Sequence, residues 1–217
     1  MRPITPLCLH ELYQPLASRA HSGEVAGVPY LLQPSFPLLL ANTAFGYDPE
    51  ATSTIEARFR SIGAPPAFTL PEGADASGLL ARGYRPVAVF ELCAPKSASS
   101  QIQTEQVPWS EAWRLARLIT EAYQAPQWRL AFAQAVGRLL QSPENTAFVA
   151  YLEHEALGAA LVGRGVGLLL GVLPSSLGQG VGSALLGRLY PGPFIRPEGS
   201  AVEFPGQPLQ RFVRYAL

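Results

Sequence analysis

The stretch Leu173 to Leu186, LPSSLGQGVGSALL, sets glycines at 178, 180 and 182 between one apolar run and a second with helical spacing. Successive glycines let a backbone bend sharply and let a ligand approach its N–H groups with no Cβ in the way. At a helix start those N–H groups lack an intrahelical acceptor, and the helix dipole adds partial positive charge. The combination is an anion site, most often for phosphate. The surroundings agree: no Asp or Glu falls between Glu155 and Glu198, whereas Arg164, Arg188 and Arg196 do. Glycine-rich turns between strand and helix also exist purely for tight packing, so the local pattern leaves both readings open.

The residues after the glycines narrow the class of ligand. A nucleoside-triphosphate loop needs Lys and then Ser or Thr after its last Gly. Counted from Gly178, Ala184 and Leu185 stand there instead. The dinucleotide fingerprint G-x-G-x-x-G is approached by Gly178, Gly180 and Ser183, and Glu198 lies where a ribose-binding acid would be expected. That fingerprint opens a domain with further strands behind it. Here a short tail broken by Pro and Gly comes next, which disfavours a nucleotide-binding fold.

The elements that must position the loop read as two halves, 1–95 and 106–217, joined by the polar stretch Pro95 to Gln106. In the first half, Thr5 caps and Pro6 starts a helix with Leu9, Leu12, Tyr13 and Leu16 inward. GVPYLL and FPLLLANTAF have strand composition. Asp48 and Pro49 open a second helix that Gly63 stops. PAFTLP reads as a strand, DASGLLARG as a short helix, and YRPVAVFELCA as a strand. The second half opens with WSEAWRLARLITEAYQ, a helix with Ser110 as its N-cap, and a second helix comes after Pro126. TAFVAYLE and ALGAALVG are two strands around a turn at His154-Glu155. GVGLLLGVL is a third strand, then come the glycine loop and the helix GSALLGRL. The tail from Tyr190 is not assigned.

The order helix, helix, three strands, glycine loop, helix, together with LPSSLGQGVGSALL, resembles the GNAT superfamily of N-acyltransferases. Their coenzyme A loop has the pattern Q/R-x-x-G-x-G/A, and Leu177 to Gly182 match it at both Gly positions. The likeness covers roughly Glu105 to Tyr190. It implies an α/β (α+β) fold with a mixed central sheet flanked by helices, beside a second, smaller α/β N-terminal lobe. It implies acetyl-CoA or another acyl-CoA as co-substrate and acyl transfer to a primary amine. In that family the strand before the loop splays from its neighbour and its free peptide groups pair with the pantetheine arm. By resemblance that role falls to Leu170, Gly171 and Val172. The amides of Gly178, Gln179, Gly180, Val181, Gly182 and Ser183 would hold the pyrophosphate, and a backbone N–H at Val172 the oxyanion.

The chain departs from that pattern in chemistry-bearing places. Leu177 replaces the first Gln or Arg. GVGLLLGVL contains no acid to serve as general base. The expected Y-x-x-x-G-F is absent from PLQRFVRYAL, which leaves Tyr215 and then Tyr190 as the tyrosines to nominate for proton donation. GLLARGYRPVAVFEL, in the first half, resembles the family's late helix-then-strand unit. That suggests a tandem whose first lobe has lost its phosphate loop, against the alternative of an unrelated α/β lobe. The missing groups support a second functional expectation, a CoA-binding or protein-interaction module without turnover. Trp109, Trp113 and Trp128 are core candidates that could instead wall an acceptor pocket.

Composition sets outer bounds. The 217 residues carry 16 Lys and Arg against 16 Asp and Glu, and the formal net charge is zero. That balance offers no basic face for nucleic acid. Cys8 and Cys93 make neither a disulfide framework nor a zinc site, and His10, His21 and His154 are scattered. The N-terminus lacks signal-peptide organisation and no uncharged apolar run reaches membrane-span length, so a cytoplasmic protein without membrane contact is expected. Acceptor and oligomeric state are not readable.

Overall fold

The computed structural model describes residues 4–17, 22–35, 38–96, 101–199 and 204–217. The chain divides into two compact units, Met1–Glu91 with Gln210–Leu217, and Leu92–Leu209. The last eight residues therefore complete the first unit.

In the first unit, helix α1 (Pro6–Tyr13) begins as its sequence dictates. Thr5 Oγ1 accepts the Cys8 N–H at 3.2 Å and Pro6 fills the first helical position. Strands β1 (Ser22–Val25) and β2 (Val28–Leu32) form a hairpin. Its turn residues, Ala26 and Gly27, both have positive φ, which matches the right-handed strand twist. FPLLLANTAF is only partly strand. A 3-10 turn covers Leu39–Ala41 and β3 is Asn42–Phe45, while Phe36 and Pro37 lie outside the described residues. Helix α2 (Pro49–Ser61) starts on Asp48 and stops at Gly63, whose φ is 72°. Strand β4 (Ala67–Pro71), helix α3 (Ser77–Ala81) and β5 (Arg85–Pro95) come next. The final strand, β11 (Gly206–Ala216), pairs antiparallel with β4, giving the order β1-β2-β3-β4-β11-β5. Under α2 and α3 the core gathers Ala44, Ile55, Phe59, Phe68, Leu79 and Tyr84. The opposite face meets α1, where His10 packs edge-on against Phe45 at 5.7 Å.

In the second unit, the polar stretch read as a linker contains a strand, β6 (Gln103–Val107), while Ser97–Ser100 lie outside the described residues. Among the described residues it is an edge strand paired only with β7, so its side chains need little apolar character. Helix α4 (Ala112–Ala122) starts after a 3-10 turn over Trp109–Glu111, and its N-cap is Glu111 rather than Ser110. Helix α5 (Arg129–Leu139) packs on α4. Strands β7 (Asn145–Leu152), β8 (Glu155–Gly163) and β9 (Val166–Val172) form an antiparallel meander. The β7–β8 turn is Glu153-His154, both at positive φ, one residue earlier than its sequence suggested. After the glycine loop come α6 (Val181–Leu189) and β10 (Phe194–Pro197), which runs parallel to β9. Helix α6 packs Val181, Leu185 and Leu186 on one sheet face against Leu170 and Val172. Helix α4 covers the other, contacting β8 and β9.

No helix among the described residues is long and apolar enough to cross a membrane.

Candidate active site

The peptide groups of β9 form one wall of the site. Its register with β8 pairs Ala160 with Leu170, Ala159 with Gly171 and Gly158 with Val172. One step further, the Leu173 N–H donates to the Leu157 carbonyl at 2.9 Å. Bonded and non-bonded pairs alternate in an antiparallel ladder. Gly171 therefore turns its peptide groups to β8, and Leu170 and Val172 turn theirs away. On that far side, among the described residues, β10 forms a ladder pair with β9 only at Phe194 opposite Gly167, and the Gly167 N–H donates to the Pro193 carbonyl at 2.8 Å. Beyond Gly167 the two strands part. The outward groups of Leu170 and Val172 have no ladder partner in β10 among the described residues.

Gly171 does a different job. A Cβ there would lie 2.9 Å from the Ala122 Cβ and 3.3 Å from the Ile119 Cα, so its bare backbone lets α4 approach β9. That closeness brings in a residue the sequence reading passed over. Tyr123, just past the end of α4, donates its hydroxyl to the Leu170 carbonyl at 2.9 Å. The ring is half exposed, while burial against the strand pushes the phenol up to about 12.

At the other end of β9 the chain makes a 3-10 turn, Pro174–Ser176, and enters the loop. Gly178 and Gly180 have φ of 80° and 84°, the left-handed region that a side chain disfavours. Nothing lies within 4 Å of where a Gly178 Cβ would stand, so that glycine is set by its conformation and by open space. Gly182 is small for another reason, since its Cβ would press on the Phe204 ring at 3.0 Å. Gly180 is the N-cap of α6 with no side-chain cap, and Ala184 makes the first helical bond, to the Gly180 carbonyl at 3.0 Å. The N–H groups of Val181, Gly182 and Ser183 precede that bond and have no acceptor within the helix.

A cavity of about 240 Å³ opens over this turn, and none of the described residues that line it is charged. Of the nominated residues, Val172, Gly178, Gly180, Val181, Gly182 and Ser183 line it. Gln179 does not, and its side-chain amide bonds to the Ser175 carbonyl at 3.2 Å. Nor do the nearby arginines line it: Arg164 pairs with Glu144, Arg188 holds Thr104, and Arg196 donates to the Phe204 carbonyl. Attraction for an anion here falls on main-chain amides and the helix dipole. Left-handed glycines, a helix start with no side-chain cap and a lining without acids among the described residues fit a diphosphate.

The β3–α2 turn of the first unit is built the opposite way. The Asp48 carboxylate accepts the Glu50 and Ala51 N–H groups at 2.7 and 3.1 Å, and Glu50 adds a second negative charge. That helix start is already occupied by its own acid. Tyr215 also belongs to this unit, partly buried on its core opposite Phe68. Tyr190 is an exposed C-cap of α6. Trp109 and Trp113 are exposed rather than core.

No protein-family model and no curated protein matches the chain. Solved structures do. A GCN5-related N-acetyltransferase from Kribbella flavida superposes with a TM-score of 0.66 over 100% of this chain and 96% of that one, at 16% identity. The fold is that of the GCN5-related N-acetyltransferases. A tandem GNAT protein from the clavulanic acid biosynthesis pathway matches 100% of this chain and 89% of its own, with a TM-score of 0.53 and 12% identity. A conserved protein of unknown function from Staphylococcus epidermidis matches 89% and 92%, with a TM-score of 0.60 and 14% identity. The mixed sheets flanked by helices accord with the α/β class expected from the sequence. Within this GNAT fold the parted strands and the glycine turn lie in the second unit.

Proposed function

We propose that the second unit binds an acyl-CoA and transfers its acyl group to a primary amine. One observation carries the reading: the stretch of β9 that has no described ladder partner in β10 leads directly into a left-handed glycine turn and a helix start that line a cavity without charge among its described residues. The loop amides of Val181, Gly182 and Ser183 receive the diphosphate. The outward N–H and C=O of Val172, which borders the cavity, receive an amide of the pantetheine arm. Leu170 is the next outward residue, about 7 Å further along the strand, and its N–H is placed to hold the carbonyl oxygen as negative charge develops. This moves the oxyanion donor from Val172, the sequence-based expectation, to Leu170. The contacts are main-chain, so Leu177 in place of Gln or Arg costs one side-chain contact and leaves the rest.

The run VGLLLGV of β9 carries no acid to serve as a base, which favours a second reading, a CoA-binding module without turnover. Thermal shift with acetyl-CoA, CoA, NAD and ATP, then thiol release on an amine panel, separates the two. A ligand that binds only the native state raises its stability. Stabilisation by CoA species alone with thiol release supports the transferase, and binding without release supports the module. Stabilisation by NAD or ATP instead overturns both.

A further inference from the structure

The chain has no acid in β9 and no tyrosine after α6 in the expected pattern, which leaves the proton for the departing sulfur to water or to another side chain. We infer that Tyr123 is the proton donor of this site, its hydroxyl being already docked on the parted stretch of β9 at Leu170. The inference rests on the reading of the second unit as an acyl-CoA transferase and names a catalytic residue for it.

The Leu170 carbonyl faces away from β8, on the side where β9 and β10 part, and the Tyr123 hydroxyl reaches it at 2.9 Å. The diphosphate cavity is at the other end of the same outward row, bordered by Val172. An extended arm running from that cavity along β9 passes Val172 first and brings its reactive end to Leu170 and Tyr123. Placement is fixed by packing. Ala122 and Ile119 seat against bare Gly171, and Ala125 N–H closes the end of α4 on the Thr120 carbonyl at 2.7 Å. The phenol is protonated throughout the physiological range, as a proton donor must be. Neighbouring charge is engaged elsewhere: Glu121 pairs with Arg129 at 2.8 Å and Arg117 at 3.5 Å, and β9 carries no ionisable side chain.

The step balances. The amine nitrogen attacks the thioester carbonyl carbon and the C–N bond forms. The C–S bond breaks with its electron pair on sulfur, and the Tyr123 proton passes to sulfur. The proton shed by nitrogen returns to the phenolate oxygen, restoring the tyrosine. When the hydroxyl turns to sulfur, the Leu170 carbonyl is released to accept an N–H of the incoming amine. An interaction made only as the bond breaks lowers kcat without weakening ground-state binding when it is removed.

The experiment uses the full chain, with acetyl-CoA and a panel of small primary amines that includes hydroxylamine. Tyr123→Phe should lower kcat by about 10²- to 10³-fold while the CoA Kd, read by calorimetry, stays that of wild type. Replacing Tyr123 with a ring-fluorinated tyrosine, a more acidic phenol of nearly the same shape, should restore turnover and move the alkaline limb of kcat to lower pH. Unchanged kcat in Tyr123→Phe overturns the inference. So does a parallel loss of kcat and CoA affinity with an unmoved alkaline limb, because that marks a strut holding α4 to β9. CoA binding by wild type without thiol release on any amine also overturns it and leaves the binding reading standing. A wild-type chain that does not bind CoA overturns the reading of the unit itself.

Discussion

Gly180 offers the sharpest test of the loop, because its two roles can be separated by two substitutions. It stands at φ 84° and ψ 2° as the N-cap of α6. Any side chain there costs about 1–2 kcal/mol for the left-handed conformation, which for a chain of this size lowers Tm by about 2–8 °C. Gly180→Ala should lose that much stability and keep most of its affinity for CoA. Gly180→Glu suffers the same backbone cost and also brings a carboxylate to the amides of the first helical turn. Two unit charges about 4 Å apart repel by about 4 kcal/mol at an effective dielectric of about 20, which corresponds to about 10³ in Kd. Its carboxylate can also cap those amides directly, as Asp48 does at the start of α2. Both effects exclude the same diphosphate.

Calorimetric titration of CoA into the three proteins decides the matter, with melting curves to confirm folding. The expected order is wild type close to Ala, with Glu weaker by two to three decades on the estimate of about 4 kcal/mol. Added salt should narrow the gap, since screening acts on the charge and not on the backbone. CoA affinity in Gly180→Glu equal to that of wild type would refute the placement of the diphosphate. An Ala variant as weak as the Glu variant would refute the charge argument and leave loop geometry as the controlling factor.

The packing and the titrating groups give three further outcomes. Gly171→Ala sets a methyl group 2.9 Å from the Ala122 Cβ and 3.3 Å from the Ile119 Cα, so it should cost about 1–3 kcal/mol of stability by overpacking; because α4 is displaced, it should also lower kcat more than CoA affinity, and a neutral melting curve would contradict the close approach. Burial raises the pKa of Glu56, but the hydrogen bonds from Arg82 and Tyr84 and the charges of Arg82 and Arg60 outweigh it and hold the carboxyl below its usual range. Its stabilisation is therefore present above about pH 4.3, the unfolded value, and lost as pH falls through the lower folded value; Glu56→Gln should melt lower than wild type at pH 7, and a gap that does not close on acidification would refute this. Burial lowers the His10 pKa, Glu11 and Glu24 opposing it only in part, so stability is present above about pH 6.5 and falls as pH drops through the folded value; His10→Leu should flatten that slope in a pH series of melting curves, and an unchanged slope would count against it.

Much of the fold was legible because local chemistry decides it. Thr5-Pro6 and Asp48-Pro49 start helices and Gly63 ends one, where caps and φ preferences act within a few residues. The failures are places where tertiary context overrides local preference. QTEQV looks like linker, yet it is β6, because an edge strand needs only one partner and tolerates polar side chains. Ser110 has the right type for a cap, yet a 3-10 turn moves the helix start past it. Tyr215 was nominated for its position after the loop in sequence. It packs in the first unit, while Tyr123, dozens of residues before the loop, reaches β9. Sequence distance from a motif says little about which side chain the sheet brings to it.

The candidate site itself shows why a main-chain site is only half readable. The glycines announced the turn, but which peptide groups of β9 are free depends on parity. Gly167 points outward, to Pro193, and strict alternation would then expose residues 169 and 171. The ladder does not alternate strictly. Leu161 pairs with Leu169 and Val162 with Gly167, so Leu168 is an extra residue in β9. A bulge of one residue reverses the facing of everything beyond it. It turns Leu170 and Val172 outward and leaves Gly171 to β8 and α4. Without it, Tyr123 would meet no carbonyl at position 170, and the outward group next to the loop would belong to Gly171. The proposed chemistry depends on that single insertion, which nothing in the run VGLLLGV reveals.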